Sequence, residues 1–210
     1  MELFTYHRSS AAYRVRIALN YKGIKYSAVP VNLLKVEHRG EDYLGISPQG
    51  LVPALRLDDR RVLTQSGAIL EWLEENYPTP ALLPQDSYDR GIVRAWANII
   101  SCDIHPIDNL RVLNYLTGEL GVSDEQKQTW YRHWIKLGFD ALETQIKAAP
   151  YCFGKQVSMA DIYLIPQVYN ALRFSLEMSH YPKIHTVYNN CNELDVFSQA
   201  APETQPDAPA

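Results

Sequence analysis

The chain begins with short apolar segments that flank a segment of helical periodicity. Residues 1–6 (MELFTY) and 26–31 (YSAVPV) predict strands. Between them, the apolar positions of residues 12–22 recur at helical spacing, and Gly23 follows where a helix C-terminal cap is expected. This order predicts a β-α-β unit.

A hairpin and a second helix are predicted to complete this domain. Residues 52–57 (VPALRL) and 61–65 (RVLTQ) flank a short polar turn and predict two antiparallel strands. The helical pattern that follows has Ser66 as its predicted N-cap. Strand, helix, strand, hairpin and helix form a thioredoxin-like α/β order, which we assign to residues 1–80.

A proline-rich segment interrupts the α/β pattern. The sequence YPTPALLP cannot continue a helix, so residues 77–87 are predicted to be a linker. Amphipathic helical patterns then predict an all-α domain over residues 88–200. The predicted helices span residues 88–117, 123–148, 158–174 and 182–198. Residues 201–210 (APETQPDAPA) have little to bury and are expected to be disordered.

The first predicted helix of the all-α domain carries a polar stripe beside a proline. Asn98, Cys102, His105 and Asn109 recur at steps of four, three and four, so one helix would place them on one face. Pro106 is expected to bend that helix, and a polar stripe beside a bend indicates the lining of a cavity. The alternative is a solvated face, which is the preferred interpretation for Asn98.

The overall composition excludes several classes of protein. A net charge of -4 and dispersed basic residues argue against nucleic acid or an anionic membrane as the main partner. The sequence lacks an apolar run of about 20 residues and the layout of a signal peptide, so the cytoplasm is the expected compartment. Cys102, Cys152 and Cys191 are odd in number and far apart, which predicts free thiols and no metal site.

Two adjacent serines lie between the first strand and the first helix. Ser9 or Ser10 is well placed to cap that helix, and local considerations favour this structural interpretation. The functional interpretation is that a hydroxyl group and exposed backbone amides stabilise a thiolate or a carboxylate there. It requires a second group nearby that binds anions or peptides.

Residues 52–66 provide such groups. If Pro53 is cis, the turn before the third strand would expose the backbone of Val52 to an extended peptide. Gln65 and Ser66 begin the next helix, where an amide, a hydroxyl group and free backbone amides can receive a carboxylate. Together with the serine pair, these residues predict a slot for a short acidic peptide that carries a thiol.

Several motifs along nearly the whole chain resemble one protein family. They are RSSAAYRVRIAL, LVPAL, QSGAILEWLEE, YPTPALLPQD, CDIHPIDNLRVLNYL, SMADIYLIPQVYNALRF and YPKI. With them the chain resembles the zeta-class glutathione transferases, and among these the bacterial maleylacetoacetate and maleylpyruvate isomerases. The class usually has a cysteine after the two serines, whereas this chain has Ala11, so the serines alone remain to serve a bound thiol.

The resemblance implies a set of glutathione-binding residues. The serines face the glutathione sulfur, Val52 pairs with the cysteinyl backbone, and Gln65 with Ser66 holds the γ-glutamyl group. The implied residues are Ser9, Ser10, His38, Gln49, Val52, Pro53, Gln65, Ser66, His105, Asp108 and Asn109. His38 and Gln49 are assigned to the glycine end, with a solvated loop as the alternative for His38. Asp108 is assigned to glutathione in the partner subunit of a homodimer.

Three arginines are implied as the groups that hold a dicarboxylate substrate. Arg8 adjoins the serines, Arg173 matches an arginine in the substrate pocket of zeta enzymes, and Arg111 matches a polar or basic position. Arg8 and Arg173 thus join Ser9 and Ser10 as catalytic candidates. A surface salt bridge is the alternative for each arginine. Two further arginines in the first helix, Arg14 and Arg16, are expected to bridge it to acidic groups of the second domain or the dimer.

The resemblance also implies the reaction and leaves two alternatives open. Glutathione is the expected cofactor: its thiolate adds to the cis double bond of a maleyl-keto acid, the bond rotates, and expulsion of the thiolate gives the trans isomer. The substrate would be maleylacetoacetate or maleylpyruvate in aromatic catabolism, and Leu110 favours the former. A general detoxifying transferase is the first alternative. A non-catalytic interaction module is the second, although such modules tend to lose the Ser9, Gln65 and Ser66 set.

Overall fold

The computed structural model describes residues 1–209 and divides into two compact units. The first unit combines residues 1–82 with the chain from residue 192 onward, and the second comprises residues 83–191. The division falls inside the predicted linker. The helical unit ends before the predicted residue 200 because the last part of the chain packs with the α/β unit.

The strands of the first unit form a mixed sheet with the predicted thioredoxin-like order. Within the described residues they are β1 (Glu2–Thr5), β2 (Ser27–Pro30), β3 (Ala54–Arg56) and β4 (Val62–Thr64). They lie in the order β2-β1-β3-β4, in which β1 and β2 are parallel and the other two pairs are antiparallel. Parallel neighbours require a crossover connection, which the first helix supplies. The predicted β-α-β unit and hairpin are therefore confirmed.

Helices α1 (Ser10–Tyr21) and α3 (Ser66–Asn76) pack against each other in this unit. A 3-10 turn (Glu37–Arg39) and the short α2 (Glu41–Leu44) lie between β2 and β3. The fully buried apolar residues that form the core include Leu3, Val15, Ile17, Leu19, Leu55, Ile69, Leu70 and Leu73. Helix α1 has Lys22 as its C-cap and is followed, as predicted, by Gly23, whose φ of 66° lies in the left-handed region that favours glycine.

The end of the chain differs from the predicted disorder. After α9 (Asp195–Ser198), Pro202–Thr204 form a 3-10 turn. The side chain of Gln205 is buried and donates to the carbonyl oxygens of Gln199 and Ala201, each at 2.9 Å. These polar contacts order a segment that has few apolar side chains, which is why composition alone gave the wrong expectation for residues 201–209. Ala210 lies outside the described residues.

The second unit is all-helical, as predicted. Its helices are α4 (Ser87–Asn98), α5 (Leu110–Gly118), α6 (Asp124–Gln145), α7 (Met159–Arg173) and α8, which runs from Pro182 to Asn192 at the unit boundary. Helix α7 begins with a buried capping box, in which the Asp161 carboxylate accepts hydrogen bonds from the backbone and hydroxyl group of Ser158 and from the Cys152 amide, each at 2.7 Å. Two predicted helices, 88–117 and 182–198, are each divided in the structure.

The break in the first of these helices removes the predicted polar stripe. Helix α4 continues into a π-helix (Ile99–Ile104), in which the His105 amide donates to the Ile100 carbonyl oxygen at 2.8 Å. The chain then turns at Pro106, which has no amide hydrogen to continue the helix. Asn109 caps α5 as a new helix. Asn98, Cys102, His105 and Asn109 therefore do not lie on one face of a single helix. The predicted polar stripe was wrong.

The described residues include three free cysteines and neither a membrane-spanning helix nor a cluster of metal ligands. Among residues 1–209, no helix is both long and apolar enough to cross a membrane. The same residues hold no group of three or more His, Cys, Asp or Glu side chains that could bind a metal ion. Cys102 is an exposed free thiol, and Cys152 and Cys191 are buried free thiols whose pKa values are raised, mainly by burial.

Candidate functional site

The turn between β1 and α1 presents Ser9 at the start of a helix. Ser9 is half-buried, and its Oγ accepts a hydrogen bond from the Ala12 amide at 3.2 Å, so it caps α1 as predicted. An accepting hydroxyl group still has its own hydrogen to donate. The structural and the functional interpretations of Ser9 are therefore compatible. Ser10 is the first residue of the helix and is buried.

Arg8 precedes this serine and is exposed. Its Nη2 donates to the Tyr6 hydroxyl group at 3.2 Å, and its guanidinium lies 6.0 Å from the centre of the Tyr6 ring. Tyr6 thus orients Arg8 from within the same turn. A planar guanidinium held in this way can bind a carboxylate through two hydrogen bonds.

The segment before β3 has the predicted cis peptide bond between Val52 and Pro53. The pairing of β3 with β1 begins at Ala54, so Val52 lies outside the sheet ladder. The preceding carbonyl oxygen, of Leu51, accepts from the Tyr43 hydroxyl group at 2.7 Å and from the Ser47 hydroxyl group at 3.0 Å. The segment is therefore fixed from its own unit while Val52 remains available for pairing with an extended peptide.

The start of α3 differs from the prediction in one detail. Gln65, not Ser66, occupies the N-cap position, and Ser66 is the first helical residue. Gln65 is exposed and has a φ of 68°, an unfavourable backbone conformation for a residue with a side chain. Its Nε2 lies 2.5 Å from Oε1 of Gln49, so two predicted glutathione-binding side chains meet. Ser66 is buried and accepts from Arg14 at 3.4 Å.

His38 lies in the 3-10 turn before α2. Its Nδ1 is buried and has no hydrogen-bond partner among residues 1–209. Burial, and then the positive charge of Arg39, lower the pKa of His38, so the imidazole is neutral at neutral pH. A neutral imidazole can both donate and accept, which fits a role at a polar ligand.

The turn between the π-helix and α5 contains the candidates of the second unit. The Asn109 side chain accepts from the Arg111 amide at 3.1 Å and is thereby engaged as the N-cap of α5. Arg111 is exposed and His105 is half-buried. Asp108 is 6% exposed, and within the described chain neither of its carboxylate oxygens has a hydrogen-bond partner. Burial raises the pKa of Asp108 to about 8.

Arg173 is the last residue of α7 and is exposed. Its guanidinium lies 4.9 Å from the centre of the Phe174 ring, which stacks on the Tyr131 ring at a centroid distance of 3.7 Å. The pKa of Tyr131 is raised, first by burial and then by the charge of Asp108, while Arg173 acts in the opposite direction. The charges of Asp108 and Arg173 therefore both act on Tyr131. The sequence alone does not single out Tyr131, because an aromatic residue on a helix has the same pattern as an ordinary core residue.

Comparison with known proteins adds an independent line of support. Models of the glutathione S-transferase N-terminal domain and C-terminal domain match residues 8–76 and 135–192. The chain is 49% identical to a probable maleylacetoacetate isomerase of Vibrio cholerae (98% of this chain, 97% of that one). It is 47% identical to a maleylpyruvate isomerase of Ralstonia sp. (99% and 100%). The crystal structure of a maleylacetoacetate isomerase from Methylobacterium extorquens AM1 with bound malonate and glutathione matches with a TM-score of 0.96 and 37% identity, over 100% of both chains.

Proposed function

Because the chain belongs to the zeta class of the glutathione S-transferase family, we propose that it is a glutathione-dependent cis-trans isomerase of a maleyl-keto acid. The observation that carries the proposal is the geometry of Ser9. Its oxygen accepts from the amide of Ala12, and this bond leaves the hydroxyl hydrogen to donate to a ligand. A hydroxyl group held at a helix N-terminus stabilises a thiolate through a hydrogen bond and the helix dipole.

The residues of the α/β unit fit glutathione. Val52 lies beside the sheet ladder and matches the extended backbone of a tripeptide. Gln65 has its unfavourable backbone conformation at an exposed position, where it serves ligand binding rather than packing. The unpartnered Nδ1 of His38 offers a further polar contact. When bound, glutathione supplies a thiolate that adds reversibly to a double bond.

The arginines favour a dicarboxylate as the other ligand. Arg8, Arg111 and Arg173 are all exposed, and an exposed guanidinium can bind a carboxylate of a substrate through two hydrogen bonds. Maleylacetoacetate and maleylpyruvate each carry two acidic groups. Ser9 and Ser10 hold the sulfur in this proposal, and Arg8 and Arg173 hold the carboxylates and stabilise the negative charge that develops during isomerisation.

The test is isomerisation of maleylacetoacetate and of maleylpyruvate, followed by absorbance with and without glutathione. We expect turnover of at least one acid only when glutathione is present. Failure of both acids, combined with conjugation of simple electrophiles, would instead identify a general detoxifying transferase. Failure to bind a glutathione resin would identify a non-catalytic module.

Residue roles are tested with a matched pair of serine variants. Ser9→Ala is expected to lower kcat roughly 100-fold, the lower end of what one lost hydrogen-bond donor costs at a developing anion. Ser123 is the control, because its Oγ caps α6 through the Gln126 amide at the same 3.2 Å. Ser123→Ala removes an equivalent cap outside the proposed site and is expected to leave kcat unchanged. Equal effects of the two variants on kcat would show that Ser9 acts only as a capping residue.

A second variant separates substrate binding from thiol activation. Arg173→Ala is expected to raise KM for the dicarboxylate at least tenfold, since a charged hydrogen bond is lost, with little change in KM for glutathione. Arg61→Ala, which removes an exposed arginine beside Asp59, is the control. Unchanged KM for the acid would remove Arg173 from the proposed site.

We further propose that the protein is a cytoplasmic homodimer. The Asp108 carboxyl, which has no hydrogen-bond partner among residues 1–209, supports the assignment of this residue to a ligand bound across a dimer. The three free thiols fit a reducing compartment. Light scattering coupled to size-exclusion chromatography measures the mass in solution, for which we expect twice that of the 24.0 kDa chain.

A further inference from the structure

The last residues of the chain contact the turn that carries Ser9. We name residues 199–209 the C-terminal strap. Its Asp207 Oδ2 accepts a hydrogen bond from the backbone amide of His7 at 2.9 Å and lies 3.4 Å from Nδ1 of the same histidine. His7 precedes Ser9 by two residues. A side chain at the far end of the sequence therefore fixes the backbone of the proposed site.

A buried arginine makes a second connection between the strap and the turn. Arg16 is 0% exposed, and its Nε donates to the strap carbonyl oxygen of Ala200 at 2.9 Å. Its Nη2 donates to the His7 carbonyl oxygen at 2.9 Å, and its Nη1 donates to the Thr5 hydroxyl group at 3.0 Å and, at 3.4 Å, to the carbonyl oxygen of Tyr6. The expectation for Arg16 was acidic partners in the second domain or the dimer, whereas its hydrogen bonds within residues 1–209 go to carbonyl and hydroxyl oxygens.

The strap is itself a built structure. The Thr204 hydroxyl group lies within hydrogen-bond distance of three carbonyl oxygens at 2.9–3.2 Å, and Gln205 donates to two. Asn20 of α1 donates to the carbonyl oxygen of Val196 at 3.2 Å, just before the strap begins. These bonds give Asp207 and the Ala200 carbonyl group defined positions relative to α1.

The effect reaches Ser9 through the backbone. The Ser9 amide donates to the Tyr6 carbonyl oxygen at 2.9 Å, and the same oxygen is within reach of Arg16. We propose that Asp207 and Arg16 are positioning residues, which hold the turn of residues 6–9 so that the Ser9 hydroxyl group meets the glutathione sulfur. This inference rests on the proposed role of Ser9.

The measurement is the apparent pKa of glutathione bound to the full-length protein, followed through the ultraviolet absorbance of its thiolate. Asp207→Ala is expected to raise that pKa, so that the ionised fraction falls roughly three- to tenfold, as expected when one hydrogen bond is lost. KM for glutathione should change little, because Val52 and Gln65 are untouched. Asp195→Ala removes an exposed acid of α9 in the same part of the chain and serves as the control.

Two conservative variants separate positioning from simple anchoring. Only Oδ2 of Asp207 accepts the His7 amide, so an amide oxygen can replace it and Asp207→Asn should restore the wild-type thiol pKa. Asp207→Glu keeps the charge but displaces it by one methylene group, and it should raise the pKa less than alanine does. It also serves as the test variant if Asp207→Ala does not fold.

The outcomes distinguish this proposal from the proposed function. If Ser9→Ala raises the thiol pKa but neither Asp207→Ala nor Asp207→Glu does, the strap only stabilises the fold and the positioning proposal is overturned. If Ser9→Ala also leaves the thiol pKa unchanged, the role of Ser9 itself is overturned. A lower melting temperature with an unchanged thiol pKa counts against positioning.

Discussion

Two turns of this molecule treat their polar groups in opposite ways. In the turn of residues 6–9, the carbonyl oxygens of Tyr6 and His7 accept from the buried Arg16 of α1, and Asp207 accepts the amide of His7. In the turn of residues 105–109, the Asp108 carboxyl is also buried but has no partner within the described chain. The first turn is pre-organised by hydrogen bonds.

The second turn instead holds an ionisable group whose state depends on its surroundings. Burial of an unpaired carboxylate is costly, so Asp108 retains its proton and its pKa rises to about 8. The two turns therefore differ in what their buried polar groups do. The first turn fixes the position of the Ser9 hydroxyl group, and the second holds an acid that a change of pH can ionise.

Among these predictions, removal of Arg16 is expected to have the largest effect on the free energy of unfolding. Arg16→Met leaves the Thr5 hydroxyl group and two carbonyl oxygens without a donor, whereas the Tyr6 carbonyl oxygen keeps the Ser9 amide, and we expect a loss of about 3–5 kcal/mol in the free energy of unfolding. Denaturant unfolding monitored by circular dichroism measures it. The exposed Arg61→Met control is expected to change the same quantity by less than about 0.5 kcal/mol. A loss below about 1 kcal/mol for Arg16→Met would show that this turn does not depend on its hydrogen bonds.

Replacement of Asp108 tests the turn of residues 105–109. A carboxyl group with a raised pKa binds its proton more tightly in the folded chain, so stability falls as pH rises from about 4 to about 8. Asp108→Asn cannot ionise. Above about pH 8 we therefore expect the variant to exceed the wild type by about 1–3 kcal/mol in the free energy of unfolding, with the advantage vanishing below about pH 4.

Urea unfolding of both proteins at about pH 5 and about pH 9 checks this expectation. The wild type should lose more stability between these conditions than the variant. Parallel losses in the two proteins would mean that Asp108 ionises in the ordinary range and has a partner.

The smallest expected effect separates fold from function within the first turn. Ser9→Ala and Ser123→Ala should each lower the free energy of unfolding by about 1 kcal/mol, because each removes one N-cap acceptor. Thermal unfolding of the two variants measures this. A much larger loss for Ser9→Ala would show that the turn needs the serine for its own stability.

The sequence predicts the α/β unit well because local signals and the fold agree there. Local sequence signals account for three features: the apolar segments of strand length, the helix that stops before Gly23, and the hairpin before α3. The N-cap of α3 was misassigned by one residue, since Gln65 adopts a left-handed backbone conformation that side-chain preferences do not reveal.

The missed features depend on long-range contacts. The helical pattern runs through Pro106 without showing that a π-helix and a new cap at Asn109 divide it. The order of the C-terminal strap depends on Arg16, which lies 184 residues before its partner Ala200. Of the candidate site, the sequence supplies the residue types and motifs, whereas the burial of Asp108 and the proximity of Tyr131 require the packed structure.

The discontinuous first unit has a consequence for synthesis on the ribosome. The chain that emerges first includes Ser9 and Arg16, but the carbonyl group of Ala200 and the carboxylate of Asp207 follow only after the whole helical unit. Domains generally fold in the order in which they are made. Here the guanidinium of Arg16 meets its acceptor in the strap only after the helical unit has been synthesised, so a product truncated before residue 192 carries every motif of the amino-terminal half and still lacks these contacts.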